Sequence, residues 1–255
     1  MRNASLKAVL AALGSLGLLA AGAHALTTEI QNMVVSVTAD ISPRELPAGG
    51  GAAVTIESVT RIRTRDGSAP PALTKIVFVL DKHGFVETKG LPVCPAAKIA
   101  AATPRQARKR CAGAIVGTGV GKADVRLPGQ APVEISSPLT IFNAPPSGGK
   151  PGLIAHAYET LPTPKAVVVP FSVERIKRGR YGFRAEIELP PIADGYGAAT
   201  LAQATVGKTW KRGGRTLSYI SARCAGGRLQ VYGTLNFADG SFFPGTLVSP
   251  CHEPR

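Results

Sequence analysis

Along most of the chain apolar and polar positions alternate with a period of two, and Gly, Pro, Asn or Asp interrupts the alternation at short intervals. A period of two sends successive side chains to opposite faces of a strand, so the pattern predicts antiparallel sheet. The cleanest case is YGFRAEIEL, where Tyr181, Phe183, Ala185, Ile187 and Leu189 fall on one side and Arg184, Glu186 and Glu188 on the other. RLQVYGTLNF repeats it with Leu229, Val231, Leu235 and Phe237 inward, and ADG (238–240) turns it back into SFFPGTLVSPC. MVVSVTADI (33–41), VTIESVTRIR (54–63), VEISSPLTIFNA (133–144), GLIAHAYE (152–159), KAVVVPFSVE (165–174), ATLAQATVG (199–207) and RTLSYISARC (215–224) read as further strands. Pro170 cannot donate to a ladder, which predicts an edge or a bulge at its position. In VTIESVTRIR and the residues after it, Glu57, Val59, Arg61, Arg63 and Arg65 share one face, read as a solvated basic stripe.

Two runs lack polar interruption: TKIVFVLD (74–81) and AGAIVGTGV (112–120). Both suit strands covered on both faces. Between them lies GLPVCPAAKIAAATPRQARKRC, which predicts two short helices. Pro95 and Pro104 suit first-turn positions and Thr103 is a natural N-cap. With a cysteine near each end, this strand–insert–strand unit reads as the piece around which the chain is arranged.

The expected fold is therefore all-β: an antiparallel β-sandwich, or flattened barrel, with a short helical insert (95–111) clamped by a disulfide. Residues 1–25 have the build of a secretory signal. Arg2 and Lys7 precede an apolar core from Ala8 to Ala21 and a small-x-small site at Ala23, His24 and Ala25. Cleavage there leaves 26–255 as a single domain, with no second stretch long and apolar enough to cross a bilayer as a helix. All four cysteines, Cys94, Cys111, Cys224 and Cys251, lie beyond the signal. In an oxidising compartment an even count predicts two disulfides. Of the three possible pairings, Cys94 with Cys111 and Cys224 with Cys251 each bracket one compact unit. A zinc site is disfavoured because no pair has C-x-x-C spacing and no histidine stands at finger distance.

Charge narrows the partners. Loss of Arg2 and Lys7 takes the formal charge from +14 to +12, which favours anionic surroundings. The cations cluster at two hairpin tips. Arg175, Lys177, Arg178 and Arg180, beside Tyr181, mark one; Lys208, Lys211, Arg212 and Arg215, with the only tryptophan, Trp210, mark the other. If the tips converged, they would make a cationic patch with a stacking ring, suited to an anionic cell-envelope polymer.

Catalytic signatures are missing from the sequence. VGKT (206–209) nearly meets the phosphate-loop pattern, but Ala202 stands where its first glycine belongs and a hairpin follows instead of a helix. GTGVG (117–121) is too short for a dinucleotide fingerprint and reads as a strand relieved by glycine. No G-x-S-x-G, H-E-x-x-H or aspartate-rich calcium loop occurs, so no cofactor or metal is expected. Of the histidines, His156 in an apolar strand is the one that could serve as a base, and an extracellular hydrolase built on it is the alternative to a non-enzymatic binding domain.

The phrases RDGSAPPAL, GLPVCP, RCAGAIVGTG, IFNA, GKPGLIAHAY, RTLSYISARC and LNFADG together resemble an uncharacterised family of secreted β-rich actinobacterial proteins, over most of the mature chain. The resemblance implies export, one β-rich domain and the cysteine pairs. It supplies no catalytic residue.

Overall fold

A period-two chain with an apolar face on nearly every strand can bury those faces against a second sheet or by curling one sheet on itself. The computed structural model, which describes residues 24–254, takes the second course. The signal expected at 1–25 lies, up to residue 23, outside the described residues.

The strands in chain order are β1 (His24–Ile30), β2 (Met33–Ser42), β3 (Ala52–Ala53), β4 (Thr55–Thr64), β5 (Leu73–Asp81), β6 (Gly84–Val86) and β7 (Ile115–Val125). There follow β8 (Val133–Ser147), β9 (Lys150–Glu159), β10 (Lys165–Arg178), β11 (Tyr181–Glu188) and β12 (Gly197–Val206). The last are β13 (Thr209–Arg212), β14 (Arg215–Ser218), β15 (Ile220–Ala222), β16 (Arg228–Phe237) and β17 (Phe242–Pro250). Twelve of them form one antiparallel sheet in the order β1, β2, β4, β12, β7, β8, β9, β10, β11, β5, β16, β17. The two ends of that order lie side by side, so the sheet is a nearly closed barrel. Of the two architectures expected, the barrel is the one formed. At the β1/β17 seam ladder pairing is missing, and Leu26 stands so close to Gly245 that a β-carbon there would lie 2.1 Å from its Cδ2.

The two strands flanking the insert are not a central unit. β5 pairs with β11 and β16 while β7 pairs with β12 and β8, which puts them on opposite walls. The insert holds one 3-10 turn (Ala96–Lys98) and one helix, α1 (Pro104–Arg110), and a second 3-10 turn (Ala112–Ala114) precedes β7. Thr103 caps α1 in a capping box with Gln106, and Pro104 occupies the first turn. The two disulfides are Cys94–Cys111 and Cys224–Cys251. No described helix is long and apolar enough to cross a membrane.

One barrel end is capped, and at the other the described residues form the connections between strands. At the capped end the small sheet β3, β15, β6 and the hairpin β13–β14 cover the opening. There Leu91, Tyr219, Val86, Ile220 and Trp210 pack on Val116, Ile141, Leu153, Val173 and Phe183. The Cys224–Cys251 disulfide ties down the same cap beside Leu46, Ala222 and Leu229. At the loop end Pro-rich connections join β7 to β8, β9 to β10 and β11 to β12.

Candidate functional site

Twelve strands enclose more space than their side chains fill; barrels of about eight strands are just filled and larger ones keep room inside. Here one stretch of the wall turns small residues inward. On β7 they are Gly117, Gly119, Gly121 and Ala123, paired on one side with Val206, Ala204, Ala202 and Ala199 of β12 and on the other with Ile141, Leu139, Ser137 and Ile135 of β8. At Gly119 a β-carbon would lie 1.9 Å from the Gln203 carbonyl oxygen, so glycine permits a close approach of backbones. At Gly121 the nearest atom is the Leu201 carbonyl oxygen at 4.0 Å, and the space beyond is open. Ala155 and Ala157 repeat the economy of volume on β9.

The result is a lumen of about 530 Å³ to which all twelve strands of the barrel contribute. Its wall is aliphatic and aromatic, relieved by hydroxyls such as those of Ser58, Thr60 and Ser137. Tyr219 closes the capped end at 2 % exposure, and burial pushes its phenol far above the usual range. Protein interiors leave few voids larger than a water molecule.

The outer wall is the opposite. Mid-strand positions facing out include Glu57, Arg61 and Arg63, and ion pairs run across it, among them Lys75 with Glu186 (2.8 Å) and Glu188 (2.7 Å), and Lys122 with Glu134 (2.7 Å). A transmembrane barrel needs an apolar band there. This barrel is apolar inside and polar outside.

A mouth is marked by breaks in the ladder at the loop end. β8 pairs with β9 only from His156 towards Lys150, and β10 pairs with β11 only from Ser172 towards Arg178. Residues 157–171, apart from their connecting loop, are therefore a two-stranded ribbon without ladder partners on either flank among the described residues. Pro170 lies in this stretch, so the local edge expected of it is found. The ribbon is tethered by Tyr158 N–H donating to Ser137 Oγ (2.8 Å) and by Lys165 Nζ on Asp194 (2.5 Å). Glu159, Pro190 and Ile192 bound the lumen at this point.

The residues singled out in the sequence fall elsewhere. His156 faces outward beneath the insert at 0 % exposure, its Nε2 3.0 Å from the Ala102 carbonyl oxygen. Nδ1 is buried with no partner, so the neutral ring donates through Nε2, and burial holds its pKa below the ordinary imidazole value. Among the described residues neither a carboxylate nor a serine bonds to the ring, and its burial leaves it no exposed surface. The hydrolase alternative thus loses its base.

The basic tips are dispersed. Arg175 stacks on Phe183 (5.2 Å to the ring centre), and Arg180 binds the buried Asp81 (2.9 Å). Lys208 bonds the Gly113 carbonyl (2.5 Å), and partial burial lowers its pKa. Arg212 covers Gly90. Trp210, expected as an exposed stacking ring, is packed into the cap with its Nε1 buried, because the cap needs a large apolar side chain there. Lys177, Arg178, Lys211 and Arg215 are exposed, but no hydrogen bond or ion pair joins one tip to the other among the described residues. Lys177 and Arg178 instead join Arg184 around an outer groove of about 460 Å³ floored by Val77, Val79 and Tyr232.

The lumen was missed in the sequence because its signal, glycine and alanine at inward positions of neighbouring strands, needs the strand order to be seen. No family model matches the chain, and no curated protein matches it.

Proposed function

We propose that this protein is an exported, non-enzymatic binding protein that holds an apolar small molecule inside its barrel. The observation that carries the reading is the lumen: about 530 Å³, within the roughly 300–1,000 Å³ of small-molecule sites, with an almost wholly apolar wall. An apolar cavity of roughly 150 Å³ already takes a benzene ring, so this one suits an alkyl chain or several fused rings. Two disulfides suit an oxidising compartment and support export. Titration with a neutral solvatochromic dye tests the reading. Saturable binding of one dye per chain with a blue-shifted emission supports it, and emission that stays at its aqueous value contradicts it.

A second reading, binding of an anionic envelope polymer, is favoured by the outer groove rimmed by Lys177, Arg178 and Arg184. Contact with several phosphates or carboxylates makes affinity fall steeply with salt. Replacing Lys177 and Arg178 by serine should flatten that slope; an unchanged slope leaves only the diffuse positive field of the chain.

A further inference from the structure

Among the described residues the lumen has one carboxylate in its wall, and it stands at the mouth. Glu159 continues the inward series Leu153, Ala155, Ala157 on β9, opposite Lys165 of β10. It is 5 % exposed, and its Oε2 is buried with no hydrogen-bond partner. Lys165 Nζ lies 3.4 Å from that oxygen but makes its short contact, 2.5 Å, with Asp194. The other ionisable wall residue with a formal charge, Lys122, turns its ammonium outward onto Glu134. Two carboxylates share one ammonium at the mouth, and the buried Glu159 oxygen has only the longer, poorly aligned contact with it. A buried acceptor in that state is costly until something donates to it.

Resting on the lumen reading, we infer that the occupant is an amphiphile whose head is a hydrogen-bond donor, a hydroxyl or an ammonium, seated on Glu159, with its tail running towards Tyr219. The head would complete the unsatisfied oxygen and balance the surplus negative charge. A carboxylate or phosphate head would meet two carboxylates for one cation and be disfavoured. The tail finds only apolar wall and scattered hydroxyls beyond Glu159. The ribbon that carries Glu159 and Lys165 lacks ladder partners on both flanks, so the head site sits on the part of the wall best placed to move aside for entry.

The test displaces a neutral dye from the full chain with decan-1-ol, decylammonium and decanoate, three heads on one tail. The inference expects decylammonium and decanol to compete at concentrations about tenfold or more below decanoate, the size of a hydrogen bond to a charged group. Glu159→Gln should collapse the preference of decylammonium over decanoate, and Lys165→Met should widen it, each measured as a ratio within one variant. Equal potency of the three heads, or a ranking that survives both substitutions, overturns the head site while leaving the lumen reading intact. A parent protein that binds neither dye nor competitor overturns both.

Discussion

Gly121 of β7 and Ala202 of β12 stand directly opposite each other and face the lumen, and a β-carbon on Gly121 would meet nothing nearer than 4.0 Å. Two positions before it, at Gly119, the same atom would strike the neighbouring backbone at 1.9 Å. One glycine keeps space open and the other keeps two strands together. Gly121→Leu should fold with a urea midpoint at or above that of the parent, because the backbone is not left-handed there and a strand gains from a side chain. Gly119→Ala should lose about 1–3 kcal/mol or more from overpacking against a backbone that cannot yield. Urea unfolding of the two variants checks this, and a Gly121→Leu variant less stable than Gly119→Ala contradicts the geometry.

His156 joins the insert to the barrel through the Ala102 carbonyl, and it does so as a neutral ring. Its folded pKa is depressed below the ordinary imidazole value of about 6.5, so the unfolded chain takes up the proton first. Its contribution is complete above about pH 6.5 and falls as pH drops below that value, by at most about 1.4 kcal/mol per pH unit. His156→Gln cannot titrate. The urea midpoint of the parent should therefore fall more between pH 7.5 and pH 5 than that of the variant; equal losses would show that this ring is not the sensor.

The ribbon at 157–171 bears on motion. His156 is the last β9 residue paired to β8, and it lies under the insert clamped by Cys94–Cys111. The stem of the β9–β10 hairpin is thus held from outside, and its tip is free of ladder partners. Amide exchange should be faster from Ala157 to Val167 than from Gly152 to His156 of the same hairpin. A saturating apolar ligand should narrow the difference. Uniform protection along both strands would contradict a ribbon that opens by itself.

Much of this architecture can be read without coordinates. Strand positions follow from period-two alternation, the capped helix from Thr103, Pro104 and Gln106, and the disulfides from two compact cysteine units. The site cannot be read that way. A period of two identifies an inward face but not whether that face meets another sheet or encloses space, because this depends on the order of strands distant in sequence. Gly117, Gly119 and Gly121 therefore read only as a relieved strand until β12 is known to lie beside β7. Trp210 misled for a similar reason. Its neighbours in sequence are cations, but in space it packs against the apolar cluster that contains Leu91, Tyr219 and Phe183. Glu159 gave no sign, since YET followed by a Pro-rich loop looks like an ordinary strand end.

The central claim is that an apolar tail occupies the barrel, and a series of straight-chain alcohols competing with a neutral dye measures it most directly. Burial of each methylene is worth about 0.8 kcal/mol, so affinity for the parent should rise roughly fourfold per added carbon until the lumen is full. In Gly121→Leu, whose side chain projects into the open space, the rise should stop at a shorter chain. Affinity independent of chain length, or the same limiting length in both proteins, would show that the alcohols bind elsewhere and that the lumen is not the site.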